Sequence, residues 1–475
     1  MKTLSRQYRK SFLTQLKAML LLSFPLFACS QDSVPTLKGK VHLSIKTGTI
    51  SCDFVLSNIP NIEDYVIRLN TGMNIHYIRD NSNGQMLNYE QDHEDNRSSE
   101  ESIAYYFPGK SRGSRILPKC IQFRYMGMYP VTDSLQPMVS DWRGNVALNG
   151  STLRVDGRQS AWYPVLYDRK LDIVYEKVLY DVEVRCDDCS SLFVNGSAPA
   201  PGPVAQFRSD VPRQLTMFCG NYAYQQFERT YILNPDIDVR QQAVFGQKVN
   251  QYRRFYEQVL KIPYKEPLSF IRTMPVAWGY GFLFVSFPSI IMVTEPGRGL
   301  GRLFDPAQAG AFKFYLAHEL AHYYFGHYRV PNSTFSGVID ESFAELLAME
   351  ATRALEPDST YLKTVQDKRV QLRGFKATPL ARLTNTQGLS QRQTYLYHYV
   401  PVLLTAIEKE IGKDKFFRWL RLLLQSQTSY TDYAFLIKTL GTAVNDEKMT
   451  NGLIQRYFES DNALTDAWKI IDPTK

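Results

Sequence analysis

The sequence predicts an α+β chain of more than one domain, an antiparallel β domain over residues 37–220 followed by a mostly helical domain over residues 221–475. Three observations carry this. With 475 residues the chain exceeds the usual size of one compact unit. From Leu37 to about Gly220 the pattern is mostly strand-like, and beyond Cys219-Gly220 helical spacing dominates. Hydrophobic residues make up 44% and charged residues 21%, the balance of a globular protein rather than a disordered one.

Residues 1–28 read as a leader that does not belong to the fold. Lys2, Arg6, Arg9, Lys10 and Lys17 form a positive stretch, and Ala18 to Ala28 is an apolar run of eleven residues. That is too short for a bilayer-spanning helix and right for the apolar core of a signal peptide. Leu26-Phe27-Ala28-Cys29 then resembles a bacterial lipobox, which implies cleavage before Cys29 and acylation of that cysteine. Several acyl chains anchor a protein stably without spanning the bilayer. The expectation is a protein lipid-anchored to a bacterial membrane, facing out of the cytoplasm, with residues 29–36 as anchor and linker. The leader carries five positive charges and no Asp or Glu, so its removal takes the formal charge from +8 to +3. A charge that small gives no reason to expect a nucleic-acid partner.

The β region is read from Val41-His42-Leu43-Ser44-Ile45, Asp64 to Leu69 and Lys177 to Val184, which alternate, and from the turn-forming stretches Asn81 to Gly84, Asn145 to Gly150 and Asn195 to Pro203. Residues 90–102 are polar and read as an exposed loop. Tyrosines number 30, which suits a β-rich core and peptide or carbohydrate contact equally. Cys52, Cys120, Cys186, Cys189 and Cys219 remain after processing, an odd number that leaves at least one thiol free if the others pair. Cys186-Asp187-Asp188-Cys189 has the spacing of half a zinc knuckle but no second half, which favours a local disulfide or two thiols over a metal site.

In the second region Val239 to Leu260 has the periodicity of a long helix, and Phe282 to Val293 is a strongly β-forming stretch. Helical patterns follow at Pro306 to Phe325, Asp340 to Ala354, Tyr397 to Ile411 and Asp414 to Leu424.

One of these helices carries chemistry. In Ala317-His318-Glu319-Leu320-Ala321-His322 the two histidines stand four apart, hence on one helical face, and can share one metal ion. Glu319 is offset from that face and placed to reach a water beside the metal rather than the metal itself. Of seven histidines in the chain, three lie within ten positions here. A catalytic zinc takes three protein ligands and keeps one position open. A metzincin-like third ligand would require Gly three and His six residues after His322, where Phe325 and Tyr328 stand. His327, five residues on, points away from the ligand face. Val338 to Leu347 opens the next helix with Asp340 and Glu341 in its first turn, and eighteen residues separate His322 from Glu341.

That spacing, together with Glu341-Ser342-Phe343-Ala344, resembles the aminopeptidase N family of gluzincin metallopeptidases, in which H-E-x-x-H is followed after eighteen residues by Glu, usually as E-G-x-x. Ser342 takes the place of the Gly. Tyr324 and Gly326 stand where the family has an aromatic, one residue, then Gly. The resemblance implies a thermolysin-like catalytic domain with one zinc ion held by His318, His322 and Glu341. It also implies Glu319 as general base, and a tyrosine on a later helix that stabilises the oxyanion. The family's tyrosine lies fifteen residues before a Gly that matches Gly412, which points to Tyr397, with Tyr395 and Tyr399 as neighbours. Glu345, one turn after Glu341, is placed either to orient His318 through its second ring nitrogen or to lie in solvent.

Two departures bear on specificity. The family carries Gly-x-Met-Glu-Asn on a strand before the zinc helix, its Glu binding the substrate α-amine. Val276 to Tyr280, aligned there, contains no Glu. The family's helical C-terminal domain has no counterpart, the chain ending about 75 residues beyond Tyr397. The expected activity is zinc-dependent hydrolysis of a peptide or protein substrate, with exo- and endopeptidase action both open. The alternative is a lipid-anchored binding or scaffold protein whose zinc is structural, against which Glu319 argues, since a structural site has no use for a general base.

Overall fold

A computed structural model describes residues 34–93, 102–132, 134, 146–157, 159–170, 173–275, 281–295, 298–383, 389 and 391–472. Cys29 and the segment 276–280 lie outside them.

Among the described residues, three sheets occupy the N-terminal half. The largest has six strands in the order Val204–Gln214, Lys177–Cys186, Thr36–Ser44, Thr49–Ser57, Cys120–Met128 and Met73–Asp80. Its pairings are antiparallel except that of Thr36–Ser44 with Lys177–Cys186, which runs parallel because a long connection separates the two strands. Burial alternates along Thr49–Ser57 and Lys177–Cys186 as their sequences require. Two five-stranded sheets pack beside it, one centred on Tyr65–Asn70 and one on Met217–Gly220. A core that includes Phe54, Tyr125, Ile67, Leu166, Leu192 and Met217 joins all three. Cys186 and Cys189 form a disulfide, while Cys52, Cys120 and Cys219 have no such partner among the described residues.

The C-terminal half begins with a sheet ordered Tyr224–Phe227, Thr230–Leu233, Leu268–Thr273, Ser289–Val293 and Phe282–Ser286. The single β stretch expected at 282–293 is therefore a hairpin, turning at Phe287-Pro288, and its first strand is the edge of the sheet. Phe193, Phe218 and Tyr222 pack on Leu233, Ile271 and Ile291, so the last sheet of the N-terminal half and this one share an apolar layer.

Around this sheet lie helices α1 (Val239–Leu260), α2 (Ala309–Ala321), α3 (Phe343–Leu355), α4 (Asp358–Gln371), α5 (Val400–Ile411), α6 (Lys413–Gln425), α7 (Tyr433–Val444), α8 (Glu447–Leu453) and α9 (Ala463–Ile471). α1 starts on a capping box formed by Asp238 and Gln241 and buries Phe245, Val249, Tyr252, Tyr256 and Leu260 along one stripe. The helices expected at Asp340 and Tyr397 begin later as regular helix, each preceded by a wide π-type turn, Val338–Ser342 and Thr394–Tyr399. α4, α7, α8 and α9 were not among the helical patterns read from sequence. α4 is mainly polar, with Lys368 its one fully buried side chain.

Candidate metal centre and cleft

α2 is apolar on nearly every face and buried at its C-terminal half, with Leu316, Ala317, Leu320 and Ala321 in the core. Tyr256 on α1 donates to the carbonyl of Ala317 at 2.7 Å, which fixes the axial position of the helix. Tyr323 and Tyr324 donate to the carbonyls of Pro263 and Ile262, both at 2.9 Å, and tie down the chain just after it. The two histidines are thereby held on a helix that has no freedom to slide.

His318 Nε2 and His322 Nε2 face each other at 3.1 Å, and Glu341 Oε2 stands 3.6 Å and 3.5 Å from them. Tetrahedral zinc with bonds of 2.0–2.1 Å holds its ligand atoms about 3.3 Å apart, so this triangle of two nitrogens and one carboxylate oxygen fits zinc in size and in donor type. The remaining ring nitrogens are turned to acids. His322 Nδ1 pairs with Asp340 Oδ1 at 2.9 Å. His318 Nδ1 stands 2.8 Å from Glu345 Oε2, a close charge contact rather than a well-aligned hydrogen bond. With an acid facing each Nδ1, both rings present Nε2 to the triangle, which is the orientation a metal-ligating histidine needs.

Burial works against protonation of His318, yet Glu341 and Glu345 override it and raise its pKa to about 9. His322 is likewise raised, Asp340 and Glu341 outweighing burial. Burial would raise Glu341, but its contacts with the two histidines pull it well below the usual carboxylate range. Glu345 is lowered to about 2 because Lys368 and His318 outweigh its burial. The site therefore concentrates negative charge around two imidazoles and attracts a cation, whether a proton or a metal.

Glu341 and Tyr397 are presented by the two π-type turns, a local irregularity that re-aims side chains and is frequent at functional sites. Ser342 is fully buried and donates to the carbonyl of Leu396 at 2.8 Å, joining one turn to the other. Tyr397 Oη donates to Glu341 Oε2 at 2.7 Å. Burial, and then the neighbouring Glu341 charge, raise its pKa, so the hydroxyl is a donor at any physiological pH. Tyr395 donates instead to the carbonyl of Thr378 and packs against Tyr399 within the core, so of the three tyrosines only Tyr397 lines the cleft. Gly326 has φ +119°, and a Cβ there would meet Asp340 Oδ1 at 2.6 Å. Its missing side chain is what lets Asp340 reach His322.

The cleft has a volume of about 730 Å³. One wall is α2, with Phe314, Tyr315, His318, Glu319 and His322. Glu319 is buried, and burial followed by its neighbouring charge raises the pKa of Tyr315. A second wall is the edge strand, Leu283 to Phe287, none of whose side chains is charged. Asn195 holds this strand from behind, donating to the carbonyl of Ser286 at 2.8 Å and accepting from Ser289 at 2.7 Å. Asp156, Gln159, Glu176, Lys177 and Gln214 of the N-terminal half close the opposite side. His327 also lines the cleft but packs at a tilt against Phe287, ring centroids 4.3 Å apart, and stays outside the ligand triangle. Burial and the charges of Lys177 and Arg213 lower its pKa to about 3, which keeps it neutral.

The structure thus brings His318, His322, Glu341, Glu319, Tyr397 and Glu345 into one cleft. Reading by motif did not single out Asp340 or Lys368. Asp340 had a usable signal, an acid beside a candidate ligand in a helix's first turn, while Lys368 had none.

No family model matches the sequence, and no characterised protein matches it by sequence. Solved structures do match in fold. One is a variant of an M1 zinc metallopeptidase from Deinococcus radiodurans bound to a Tyr-Ser-Ala substrate, with a TM-score of 0.58 and 13% identity over 89% of this chain and 93% of that one. Another is yeast LTA4 hydrolase in complex with bestatin, with a TM-score of 0.60 and 12% identity over 90% of this chain and 67% of that one. The chain therefore has the fold of the M1 zinc metallopeptidases, a sheet-built N-terminal domain followed by a helical region, with a candidate His-His-Glu centre in its cleft.

Proposed function

We propose that this protein is a zinc-dependent peptidase of the aminopeptidase N type, held at the outer face of a bacterial membrane by acylated Cys29. The observation that carries the enzymatic reading is the triangle of His318 Nε2, His322 Nε2 and Glu341 Oε2 opening onto a cleft that also holds Glu319 and Tyr397. The zinc-metallopeptidase neighbours support it, and the lipobox-like Leu26-Phe27-Ala28-Cys29 supports the anchor. Among the described residues no helix is long and apolar enough to cross a membrane.

His318, His322 and Glu341 would hold one zinc ion, with Glu345 and Asp340 orienting the two imidazoles. Zinc bound there supplies Lewis acidity, which polarises a carbonyl and eases deprotonation of a water at neutral pH. An extended peptide pairs along Phe282–Ser286, the edge strand of its sheet among the described residues, as a strand added to a sheet. Glu319 takes the proton of the attacking water and returns it to the leaving amine. Tyr397 Oη, released from Glu341, donates to the carbonyl oxygen as its charge grows.

One experiment tests both parts. Peptides with free and with acetylated N-termini are incubated with membrane and soluble fractions of cells producing the full chain or its Cys29→Ala variant. Zinc-dependent cleavage in the membrane fraction, shifting to the soluble fraction in the variant, is the expected result. Products from acetylated peptides mark endopeptidase action, and stepwise loss of free N-terminal residues marks exopeptidase action. No cleavage across a broad peptide set by zinc-loaded protein would leave the scaffold reading, and activity that ignores Cys29→Ala would remove the anchor.

A further inference from the structure

Lys368 lies in the polar helix α4, outside every motif, yet its side chain is only 3% exposed. Its ammonium donates to Glu345 Oε1 and, at 2.7 Å, to the carbonyl of Tyr397, and it sits 5.5 Å from the ring of the cleft residue Phe314. Those contacts close a ring of interactions. Lys368 meets Glu345, Glu345 meets His318, Lys368 also meets Tyr397, Tyr397 bonds Glu341, and His318 stands 3.6 Å from Glu341. A buried ammonium is costly unless it is paired and hydrogen-bonded. A helix that needed only to dock on α3 would do so with an apolar side chain at this position. The two partners chosen instead are the acid behind a candidate metal ligand and the backbone of the candidate oxyanion tyrosine.

We propose that Lys368 is a positioning residue that couples the metal centre to Tyr397. By holding one oxygen of Glu345 it turns the other toward His318. By holding the Tyr397 carbonyl it fixes the π-type turn that aims the phenol at the metal position. This rests on the peptidase reading for its catalytic half only, since the effect on metal binding stands without any turnover.

The test uses the full chain with Lys368→Met and Lys368→Arg, each also in a Tyr397→Phe background. Zinc affinity is measured by chelator competition, and kcat and KM with a cleaved peptide. Lys368→Met should weaken zinc by about 10–100-fold, the usual cost of losing a group that orients a ligand. It should lower kcat by up to about 100-fold with KM little changed, and lose most of that kcat effect when Tyr397 is already Phe. Lys368→Arg, which keeps a donor and a charge, should recover part of both. A folded Lys368→Met protein with unchanged zinc affinity, or with the same kcat loss in both tyrosine backgrounds, overturns the proposal. If Lys368→Met does not fold, Lys368→Met combined with Glu345→Gln removes the stranded charge. That double variant should bind zinc as Glu345→Gln alone does, and a further loss would overturn the coupling through Glu345. Absence of peptide cleavage by the unaltered protein would sink the peptidase reading, and the zinc measurements would still decide the role of Lys368.

Discussion

In the β half, buried tyrosines donate to backbone carbonyls. Tyr125 reaches Trp162 at 2.8 Å, Tyr163 reaches Glu176 at 2.6 Å, and Tyr180 reaches Asn195 at 2.5 Å. At the cleft, Tyr397 donates instead to the carboxylate of Glu341, and that acid turns toward the two histidines. The same side chain therefore serves two ends. A tyrosine on a carbonyl satisfies a loop that leaves the sheet ladder, and its loss costs stability. A tyrosine on a carboxylate in a cleft is a donor waiting for developing charge, and its loss costs rate. The partner, not the residue type, separates the two.

Breaking that comparison is straightforward. Tyr397→Phe should lower kcat by about 100–1,000-fold, the typical loss of one oxyanion donor, with zinc still bound. Steady-state kinetics alongside metal analysis checks this, and a kcat within a few fold of the unaltered protein would return Tyr397 to the structural group. Glu345→Gln should weaken zinc by about 10–100-fold, read by chelator competition. It should also flatten part of the acid profile. The pKa of Glu345 is lowered from 4.5 to about 2, so its contribution to stability is present above 4.5 and is lost as pH falls toward 2. The metal-free Gln variant should therefore lose less stability than the unaltered protein across that window in denaturant titrations. The smallest effect sharpens the other side of the comparison. Tyr125→Phe strands the Trp162 carbonyl and should cost about 1–2 kcal/mol of stability, with kcat unchanged. A change in kcat there would blur the distinction.

The sequence made the core of the site legible because helical spacing converts directly to geometry. His318 and His322 share a face by count alone, and Glu341 and Tyr397 followed from the spacing of a resembled family. The long helix Val239–Leu260 was legible for the same reason, its apolar stripe running unbroken from Phe245 to Leu260. What could not be read depends on contacts far apart in the chain. Lys368 sits in a helix whose apolar pattern is too weak to announce it, and its partners lie 23 and 29 residues away. The hairpin at Phe282 to Val293 read as one β stretch because the Phe287-Pro288 turn between its strands is short and apolar, without the Gly or Asn that usually marks such a turn. Ser342 read as a departure from a motif, and only the fold reveals that its hydroxyl bonds the Leu396 carbonyl. The parallel pairing of the first strand with Lys177–Cys186 spans more than a hundred residues and leaves no local trace.

The central claim is that the His-His-Glu triangle is a catalytic centre and Glu319 its proton carrier. Glu319→Gln keeps the size and polarity of the side chain and removes its capacity to accept a proton. The account predicts zinc bound at one ion per chain with unchanged affinity, and peptide turnover reduced by at least about 100-fold, within the range general-base removal produces. Turnover equal to that of the unaltered protein, with zinc bound, would contradict it.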